Sequence, residues 1–272
     1  MCGDCNKKSI INIIHNNDSR SKETYETLES KLKSKGFFVS ETFDESAMLN
    51  ICIGGDGAFL RAVHKYNFPD TPFIGVNTGH LGFFQEVSPD NLDSFVNNLY
   101  EEKYKIEEFK LIEAIICTRN SCIVLRGINE IALKGIESQV IHLNISIDNE
   151  HFEKVSGDGI IVSTPIGSTA YNFSCGGSII NPSLKTLQLT PIAPINSKAY
   201  RSLQSSLIIP SDSYIKVTPE YRDESSILII VDGKQFQYDN IIEINFQYSN
   251  KVLRKLTINE KTFWSNVRDK FL

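Results

Sequence analysis

The sequence predicts an α/β domain followed by an all-β domain. In the first hundred residues, short apolar runs alternate with helical patterns, which is typical of a parallel sheet with helices on its faces. From residue 101 to 258 short β-rich runs dominate, which favours a sandwich. In the last stretch Trp264, Val267 and Phe271 share one helical face that needs a partner. We therefore expect domains at 1–100 and 101–258, with a C-terminal helix in about 259–272 that returns to the first domain.

The elements of the first domain follow from apolar runs and from helix start and stop signals. A helix begins after Asp18 or Ser19, either of which can cap it, and Gly36 ends it. A second helix runs to about Tyr66, and Ser88-Pro89 supplies the cap and first turn of a third. Strands are predicted at Ser9–His15, Phe37–Ser40, Leu49–Ile53 and Phe73–Val76.

The second domain is predicted as a succession of short strands. Two dipeptides, Asp148-Asn149 and Asp232-Gly233, lie where hairpin turns belong. The predicted strands are Leu111–Cys117, Ile123–Leu125, Ile131–Leu133, Val140–Ile147, Gly159–Val162, Leu207–Ile209, Tyr214–Val217, Ile227–Val231, Phe236–Tyr238 and Ile241–Phe246.

Composition and charge argue against several classes of function. The formal net charge is −5, which argues against a nucleic-acid-binding surface, since such surfaces carry a basic excess. No apolar run approaches the roughly 18 residues of a membrane span. The N-terminal residues lack the charged-then-apolar order of a signal peptide, so we expect a cytoplasmic location without membrane or nucleic-acid partners.

The six cysteines do not form a convincing metal site. Cys2 and Cys5 make a single C-x-x-C, and zinc would need a second ligand pair. Cys117 and Cys122 are a poor match for that pair because four residues separate them. We expect reduced thiols at Cys2 and Cys5, and no metal held by protein ligands alone.

The most informative segment is the turn Gly54-Gly55-Asp56-Gly57. A buried apolar run precedes it and a helical pattern follows it, so glycine-rich backbone amides and a helix N-terminus form an anion site. A carboxylate there would repel phosphate, and it makes sense if it handles a metal ion or a hydroxyl proton beside the phosphates. The hypothesis is phosphoryl transfer; the alternative is a plain Asp-Gly turn.

Three further segments carry functional groups. The loop Asn77-Thr78-Gly79-His80-Leu81-Gly82-Phe83 is a second glycine-containing loop, and Asn129-Glu130 is a polar pair. The stretch 156–178 is rich in Gly, Ser and Thr, which suit ribose and phosphate, and its Tyr171 could stack on a base. His80 either contacts phosphate or caps the loop. Residues predicted to bind phosphate are Gly54, Gly55, Gly57, Asn77, Gly79 and His80.

Together these motifs resemble the NAD kinase family in its compact bacterial form. The resemblance covers nearly the whole chain and includes the Ser-Thr-Pro-Ile-Gly-Ser-Thr-Ala-Tyr run at 163–171 and the Gly-Gly-Ser at 176–178. The Gly-Gly-Asp-Gly turn alone is also similar to that of diacylglycerol and sphingosine kinases, whereas the other motifs in this order resemble NAD kinases only.

The resemblance implies phosphorylation of the 2′-hydroxyl of the adenosine ribose of NAD, which gives NADP. It implies ATP or inorganic polyphosphate as donor, and assembly into homodimers or homotetramers. A divalent cation, Mg²⁺, is expected to arrive with the nucleotide and to be held mostly by phosphate oxygens and water.

The resemblance also implies roles for individual residues. Asp56 is the base toward the ribose 2′-hydroxyl. The remaining NAD contacts lie in the turn, in the polar pair and in the 156–178 stretch: Gly57, Asn129, Glu130, Ser156, Asp158, Thr169, Ala170, Tyr171, Asn172, Phe173 and Ser174. Among these, Asp158 is expected toward the nicotinamide end and Thr169–Tyr171 at an adenine.

Three positions depart from the family pattern. Ala58 stands where threonine is common, which removes a hydroxyl that could contact phosphate. Ser156 stands where several members have arginine. In Gly233-Lys234-Gln235 the residue that would contact the ligand is ambiguous.

Two other functions remain open from sequence. A lipid kinase sharing the glycine turn would need an apolar ligand groove, against which stand the hydroxyl-rich 156–178 stretch and Asn129-Glu130. A non-catalytic dinucleotide sensor would use the same loops without transfer, although Asp56 is retained where only catalysis needs it.

Overall fold

The computed structural model describes residues 10–79, 82–198, 201–221, 227–258 and 263–272, apart from the side chain of Ser138. The chain divides into two compact units. The first unit comprises Met1–Phe109 and Val252–Leu272, and the second comprises Lys110–Lys251. The predicted fold class is confirmed: the first unit is α/β and the second is built from antiparallel strands.

The first unit is built on a parallel sheet. Strand β3 lies between β1 and β4, while β2 pairs with β1 and β5 pairs with β4. These five strands are β1 (Ile10–His15), β2 (Phe38–Val39), β3 (Leu49–Gly54), β4 (Phe73–Asn77) and β5 (Gln85–Val87). Every residue of β3 is buried, which is expected for a central strand covered on both faces.

Three helices accompany these strands: α1 (Ser19–Ser34), α2 (Asp56–Lys65) and α3 (Leu92–Tyr100). Helix α1 begins where predicted, because the Asp18 carboxylate accepts the backbone N–H of Ser21 at 2.9 Å. A 3₁₀ turn at Pro89–Asn91 precedes α3, so the α-helix begins later than Ser88-Pro89 suggested. The buried faces of α1 and α3 pack into the same apolar core as β1, β3 and β4.

The second unit is an antiparallel sandwich. One sheet has the order β13-β12-β11-β8-β15-β16, and the other includes β10-β9-β14-β17 with β6 and β7. One core takes residues from both sheets, such as Leu133 and Leu143. The strands are β6 (Lys105–Thr118), β7 (Cys122–Gly127), β8 (Glu130–Gly135), β9 (Ile141–Ile147), β10 (Glu150–Gly157), β11 (Gly159–Ser163), β12 (Thr186–Ile192), β13 (Leu207–Pro210), β14 (Ile215–Pro219), β15 (Ile227–Val231), β16 (Lys234–Tyr238) and β17 (Ile241–Thr257). The first five residues of β6 and the last six of β17 belong to the first unit.

Besides the three-residue β5, two strands of the second unit escaped the sequence prediction. Strand β10 begins with exposed and charged residues, so it lacks an apolar run. Strand β12 contains the buried polar residues Gln188 and Thr190 and ends near Pro191, all of which weaken a strand pattern. Both misses arise because neighbouring strands and buried hydrogen bonds, rather than local propensity, stabilise these segments.

The short helix α4 (Tyr171–Ser174) lies in the second unit, and α5 (Phe263–Phe271) ends the chain. Helix α5 packs in the first unit, as predicted, with the rings of Phe263 and Phe271 at 6.1 and 6.2 Å from that of Phe83. The predicted apolar face is partly wrong, because Trp264 is 56% exposed and Phe263 makes the contact instead.

The structure describes some of the cysteines but not all of them. Cys117 and Cys122 face each other across the β6–β7 hairpin and form a disulfide. Cys2 and Cys5 lie outside the described residues.

Among the residues that the structure describes, the helices are too short or too polar to cross a bilayer.

A buried ion pair fixes the segment after β4. The ammonium of Lys255 lies 2.6 Å from Glu86, with side chains only 7% and 12% exposed. The same ammonium donates to the backbone carbonyl of Phe83 at 3.3 Å. Removing one partner would therefore leave a charge without compensation in a site that water hardly reaches.

We expect Lys255→Met to lower the free energy of unfolding by about 3–5 kcal/mol, because Glu86 loses its buried counter-charge. Urea denaturation measures this. Lys103→Met is the matched control: its pair with Glu101 is largely exposed, and its loss should cost about 1 kcal/mol or less. Equal losses in the two variants would contradict the assignment.

Candidate functional site

The carboxylate of Asp56 joins the glycine turn to the loop after β4. Asp56 is the first residue of α2, directly after Gly55 at the cap position. One carboxylate oxygen accepts the backbone N–H of Phe83 at 2.9 Å, and the other accepts that of Phe84 at 3.0 Å. The side chain remains 26% exposed, and each oxygen keeps a second lone pair. The carboxylate is therefore fixed in orientation and can still meet a ligand.

Two glycines make this arrangement sterically possible. A Cβ on Gly82 would lie 2.1 Å from an Asp56 carboxylate oxygen, so a larger residue would displace the carboxylate. Gly54 has φ of +152° and its Cβ would lie 2.7 Å from that of Ala58. In contrast, a Cβ on Gly55 or Gly79 would have no neighbour within 4 Å. Within the described residues no neighbouring atom requires glycine at those two positions, and open space lies beside the turn.

Two cationic side chains border the turn. The Lys270 ammonium of α5 lies 3.9 Å from an Asp56 oxygen and 4.7 Å from the centroid of the Phe83 ring. The guanidinium of Arg61 is 3.4 Å from the position of a Cβ on Gly57. Asn77, predicted to bind phosphate, uses its side-chain oxygen to accept the N–H of Gly79 at 2.9 Å. His80 lies outside the described residues.

In the second unit the carboxylate of Asp232 holds the Asn129-Glu130 backbone. Its oxygens accept the N–H groups of Ile128 at 2.7 Å, Asn129 at 2.8 Å and Glu130 at 3.2 Å. Asp232 has φ of +46° in the turn between β15 and β16, a conformation that aspartate tolerates better than most residues. The predicted hairpin turn is confirmed, and its aspartate has a second role that the sequence did not reveal.

The carbonyl side of the same backbone is held by the 163–167 run. The Thr164 N–H donates to the Asn129 carbonyl at 2.9 Å, and the Thr164 hydroxyl donates to that of Ile128 at 2.8 Å. A Cβ on Gly167 would lie 2.0 Å from the Asn129 carbonyl oxygen, so glycine is needed for this approach. The two predicted segments therefore meet, and Asn129-Glu130 is held from both sides.

Two buried polar atoms of this pair lack a hydrogen-bond partner within the part of the chain that the structure describes: Oδ1 of Asn129 and Oε2 of Glu130. Both residues are 6% exposed. Burial and, to a smaller extent, the nearby charge of Asp232 raise the pKa of Glu130 to about 8, although the backbone N–H groups of Asn172 and Tyr171 act to lower it. Buried polar atoms are normally satisfied, so these two suggest a ligand.

The predicted contacts at 156–158 differ in accessibility. Ser156 is fully buried, and its hydroxyl lies 2.7 Å from Nδ1 of His142. Asp158 is half-buried between Gly157 and Gly159. A Cβ on Gly159 would lie 1.9 Å from the carbonyl oxygen of Leu133. Close backbone packing on both sides thus fixes Asp158, whereas the Ser156 hydroxyl already has a partner.

The predicted adenine segment also divides into buried and accessible residues. Thr169 and Asn172 are buried. The side-chain oxygen of Asn172 accepts a hydrogen bond from the Thr190 hydroxyl at 2.7 Å, and its side-chain nitrogen is hydrogen-bonded to Gln188. Ala170 and Tyr171 are half-buried, and burial raises the pKa of Tyr171. Phe173 and Ser174 are exposed. Every one of these contacts stays a prediction, and the accessible residues are the better candidates for direct binding.

Among the described residues no group of three or more His, Cys, Asp or Glu side chains could hold a metal ion.

Sequence reasoning missed three residues around these sites: Asp232, Arg61 and Lys270. Asp232 was recognised only as a turn former, because its amide partners lie about a hundred residues earlier in the chain. The position of Arg61 one helical turn after Gly57 was a usable signal. Nothing local indicated that Lys270 approaches Asp56.

Comparison with known proteins assigns the family. The family model described as the ATP-NAD kinase N-terminal domain matches residues 7–104, and that of the ATP-NAD kinase C-terminal domain matches residues 128–253. The chain belongs to the NAD kinase family. It is 48% identical over 273 residues to an NAD kinase of Finegoldia magna, covering 98% of this chain and 99% of that one. It is 32% identical to an NAD kinase of Staphylococcus carnosus, covering 96% and 97%.

Solved structures show the same fold as this NAD kinase family member. An NAD kinase from Archaeoglobus fulgidus in complex with ATP matches with a TM-score of 0.76 and 25% identity, covering 96% of this chain and 97% of that one. Yeast NADH kinase complexed with NADH matches with a TM-score of 0.85 at 21% identity, covering 97% and 88%. The second likeness is evidence of fold alone.

We expect Gly82→Ala to lower the free energy of unfolding by about 1–3 kcal/mol, because the added methyl group displaces the Asp56 carboxylate from its two amides. Gly79→Ala in the same loop is the control, since its methyl group enters open space. Urea unfolding midpoints measure both. A Gly82→Ala midpoint as high as that of Gly79→Ala would contradict the proposed close contact.

Glu130 should make stability fall as pH rises. Its pKa of about 8 exceeds the ordinary 4.5, so between these values the folded state retains a proton that the unfolded state has released. The stabilisation is complete below about pH 4.5 and lost as pH approaches 8, at a slope on the order of 1 kcal/mol per pH unit.

Glu130→Gln is neutral at every pH and should flatten this slope between pH 5.5 and 7.5, as measured by urea unfolding. Glu150→Gln, which alters an exposed carboxylate, should retain it. Equal slopes in wild type and Glu130→Gln would show that Glu130 is ionised in the folded protein.

Proposed function

We propose that the chain transfers the terminal phosphoryl group of ATP to the 2′-hydroxyl of the adenosine ribose of NAD, giving NADP. Family membership across both domains identifies the enzyme as an NAD kinase, a phosphotransferase. The observation that carries the proposed chemistry is the Asp56 carboxylate, oriented by two backbone amides at a helix N-terminus and still accessible. Phosphate is favoured at such a helix end.

In the proposed reaction the ribose 2′-oxygen forms a bond to the terminal phosphorus while the bond from that phosphorus to the ADP oxygen breaks. A carboxylate is too weak a base to remove the hydroxyl proton before attack. Asp56 therefore either orients the hydroxyl or accepts its proton late, as the new bond forms. Both roles suit a loose transition state, in which positioning and charge neutralisation supply most of the catalysis.

The NAD contacts are proposed to include Asn129 and Glu130, whose unpartnered buried oxygens are suited to ligand hydroxyl or amide groups. Protonated Glu130 could donate a hydrogen bond as well as accept one. Asp158 and Tyr171 are the accessible candidates of the 156–174 segment, and Tyr171 offers a ring for stacking on a base. Assembly into homodimers or homotetramers is also part of the proposal.

The donor is proposed to be ATP with Mg²⁺. The described residues fit a metal that arrives with the nucleotide, because Mg²⁺ is commonly held by one or two carboxylates plus substrate phosphates and water. Asp56 is the carboxylate of the turn that would take part. The metal, when bound, neutralises phosphate charge.

Incubation of the protein with NAD, ATP and Mg²⁺, scored for NADP, tests the proposal. We expect NADP to accumulate, with ADP formed in equal amount. Binding of NAD without NADP would instead indicate the dinucleotide sensor, and phosphorylation of lipid alone would indicate the lipid kinase. Repeating the reaction with polyphosphate, and with NADH as acceptor, identifies the range of donors and acceptors.

Asp56→Asn should lower kcat at least about 100-fold while NAD binding stays measurable, because the amide keeps one acceptor but loses the charge and basicity. Steady-state kinetics and calorimetry measure the two quantities. Asp18→Asn is the matched control, an aspartate at the start of α1 whose replacement preserves capping. Near-normal turnover by Asp56→Asn would sink the assignment.

A further inference from the structure

Lys270 of helix α5 lies beside the catalytic aspartate without forming a close ion pair with it. The ammonium nitrogen is 3.9 Å from an Asp56 oxygen, beyond hydrogen-bond distance. The side chain is 33% exposed, so its N–H groups can reach another acceptor. Asp56 itself satisfies its oxygens with the amides of Phe83 and Phe84. The lysine is thus not needed to hold the carboxylate.

The aromatic ring of Phe83, in the loop after β4, contacts the Lys270 ammonium. Its nitrogen lies 4.7 Å from the centroid of the Phe83 ring, a distance typical of a cation–π contact. Phe263 and Phe271 of α5 pack against the same ring, so the helix is attached by aromatic contacts independent of the lysine charge. The cation is therefore held next to the N-terminus of α2, where anions are favoured.

We propose that Lys270 binds phosphate oxygens of the phosphoryl donor. This inference rests on the proposed function and deepens it by naming a donor-binding residue contributed by the C-terminal helix. A lysine ammonium is a compact point charge with three donors, which suits phosphate oxygens. When the donor is present, the ammonium offsets phosphate charge close to Asp56, whose own charge would otherwise repel the donor.

The same helix provides a matched control. Arg268 precedes Lys270 by two residues, and its guanidinium contacts the carboxylate of Asp269 at 3.0 Å. Its side chain is 69% exposed. Arg268→Met removes one positive charge from α5, as Lys270→Met does, but not from the vicinity of Asp56.

The test uses the full chain in four forms: wild type, Lys270→Met, Lys270→Arg and Arg268→Met. Methionine retains an apolar stem over Phe83 without the charge. Calorimetry with magnesium tripolyphosphate measures donor binding in the absence of turnover, and kinetics with ATP and NAD measure kcat and the two KM values.

We expect Lys270→Met to weaken tripolyphosphate binding at least tenfold and to lower kcat/KM for ATP by at least the same factor. Its KM for NAD should change less than twofold. Lys270→Arg should recover binding to within threefold of wild type, and Arg268→Met should stay within twofold. A merely structural lysine would not produce this separation between the two substrates.

Tripolyphosphate binding by Lys270→Met within twofold of wild type would overturn the inference. So would an equal loss in Arg268→Met, which would indicate a general charge effect, or a lowered melting temperature with equal losses for both substrates. If wild type binds tripolyphosphate at least tenfold more tightly than Lys270→Met but makes no NADP, the phosphate site stands and the proposed function fails.

Discussion

In the first unit the arrangement of the glycine turn and the 82–84 loop depends on one interaction. The backbone N–H groups of Phe83 and Phe84 donate hydrogen bonds to the Asp56 carboxylate. Charge-assisted hydrogen bonds of this kind are stronger than neutral ones, and here they orient the backbone of the 82–84 loop, whose Phe84 side chain is buried against Phe59. The same loop receives the Lys255 ammonium at the carbonyl of Phe83 and the aromatic face of α5 at its ring. Glycine is favoured at position 82, because a Cβ there would overlap the space that the Asp56 carboxylate occupies.

The second unit uses the same device around Asn129-Glu130. Asp232 accepts three consecutive backbone N–H groups, while Thr164 bonds the carbonyls on the other side. Because the backbone is held on both sides, Oδ1 of Asn129 and Oε2 of Glu130 stay buried without a hydrogen-bond partner among the described residues. Such unpaired buried atoms lower the stability of the folded protein. Burial beside Asp232 also raises the pKa of Glu130. In both units, therefore, an aspartate carboxylate accepts hydrogen bonds from backbone amides and thereby positions residues that are proposed to bind the ligand.

Sequence reasoning recovered the elements that are specified locally. The glycine turn, the cap at Asp18 and the buried strand β3 follow from residue types within a few positions, and the structure agrees with each. It failed where distant residues decide the outcome. Strand β12 has a polar interior residue, Gln188, that is satisfied only by tertiary partners such as Ser206. The contacts of Asp232 and Lys270 with residues far away in sequence gave no local pattern. Apart from stacking by Tyr171, the roles assigned to 169–174 came from family resemblance rather than from the residues themselves.

The central claim is that Asp56 fastens the 82–84 loop and does so while remaining available to ligand. Amide hydrogen exchange at Phe83 and Phe84 tests it most directly, in wild type and in Asp56→Ala. We predict that both amides are protected roughly 100-fold or more in wild type, and that Asp56→Ala removes this protection while the amides of β3 stay protected. Rapid exchange of both amides in wild type, or protection unchanged by Asp56→Ala, would contradict the account.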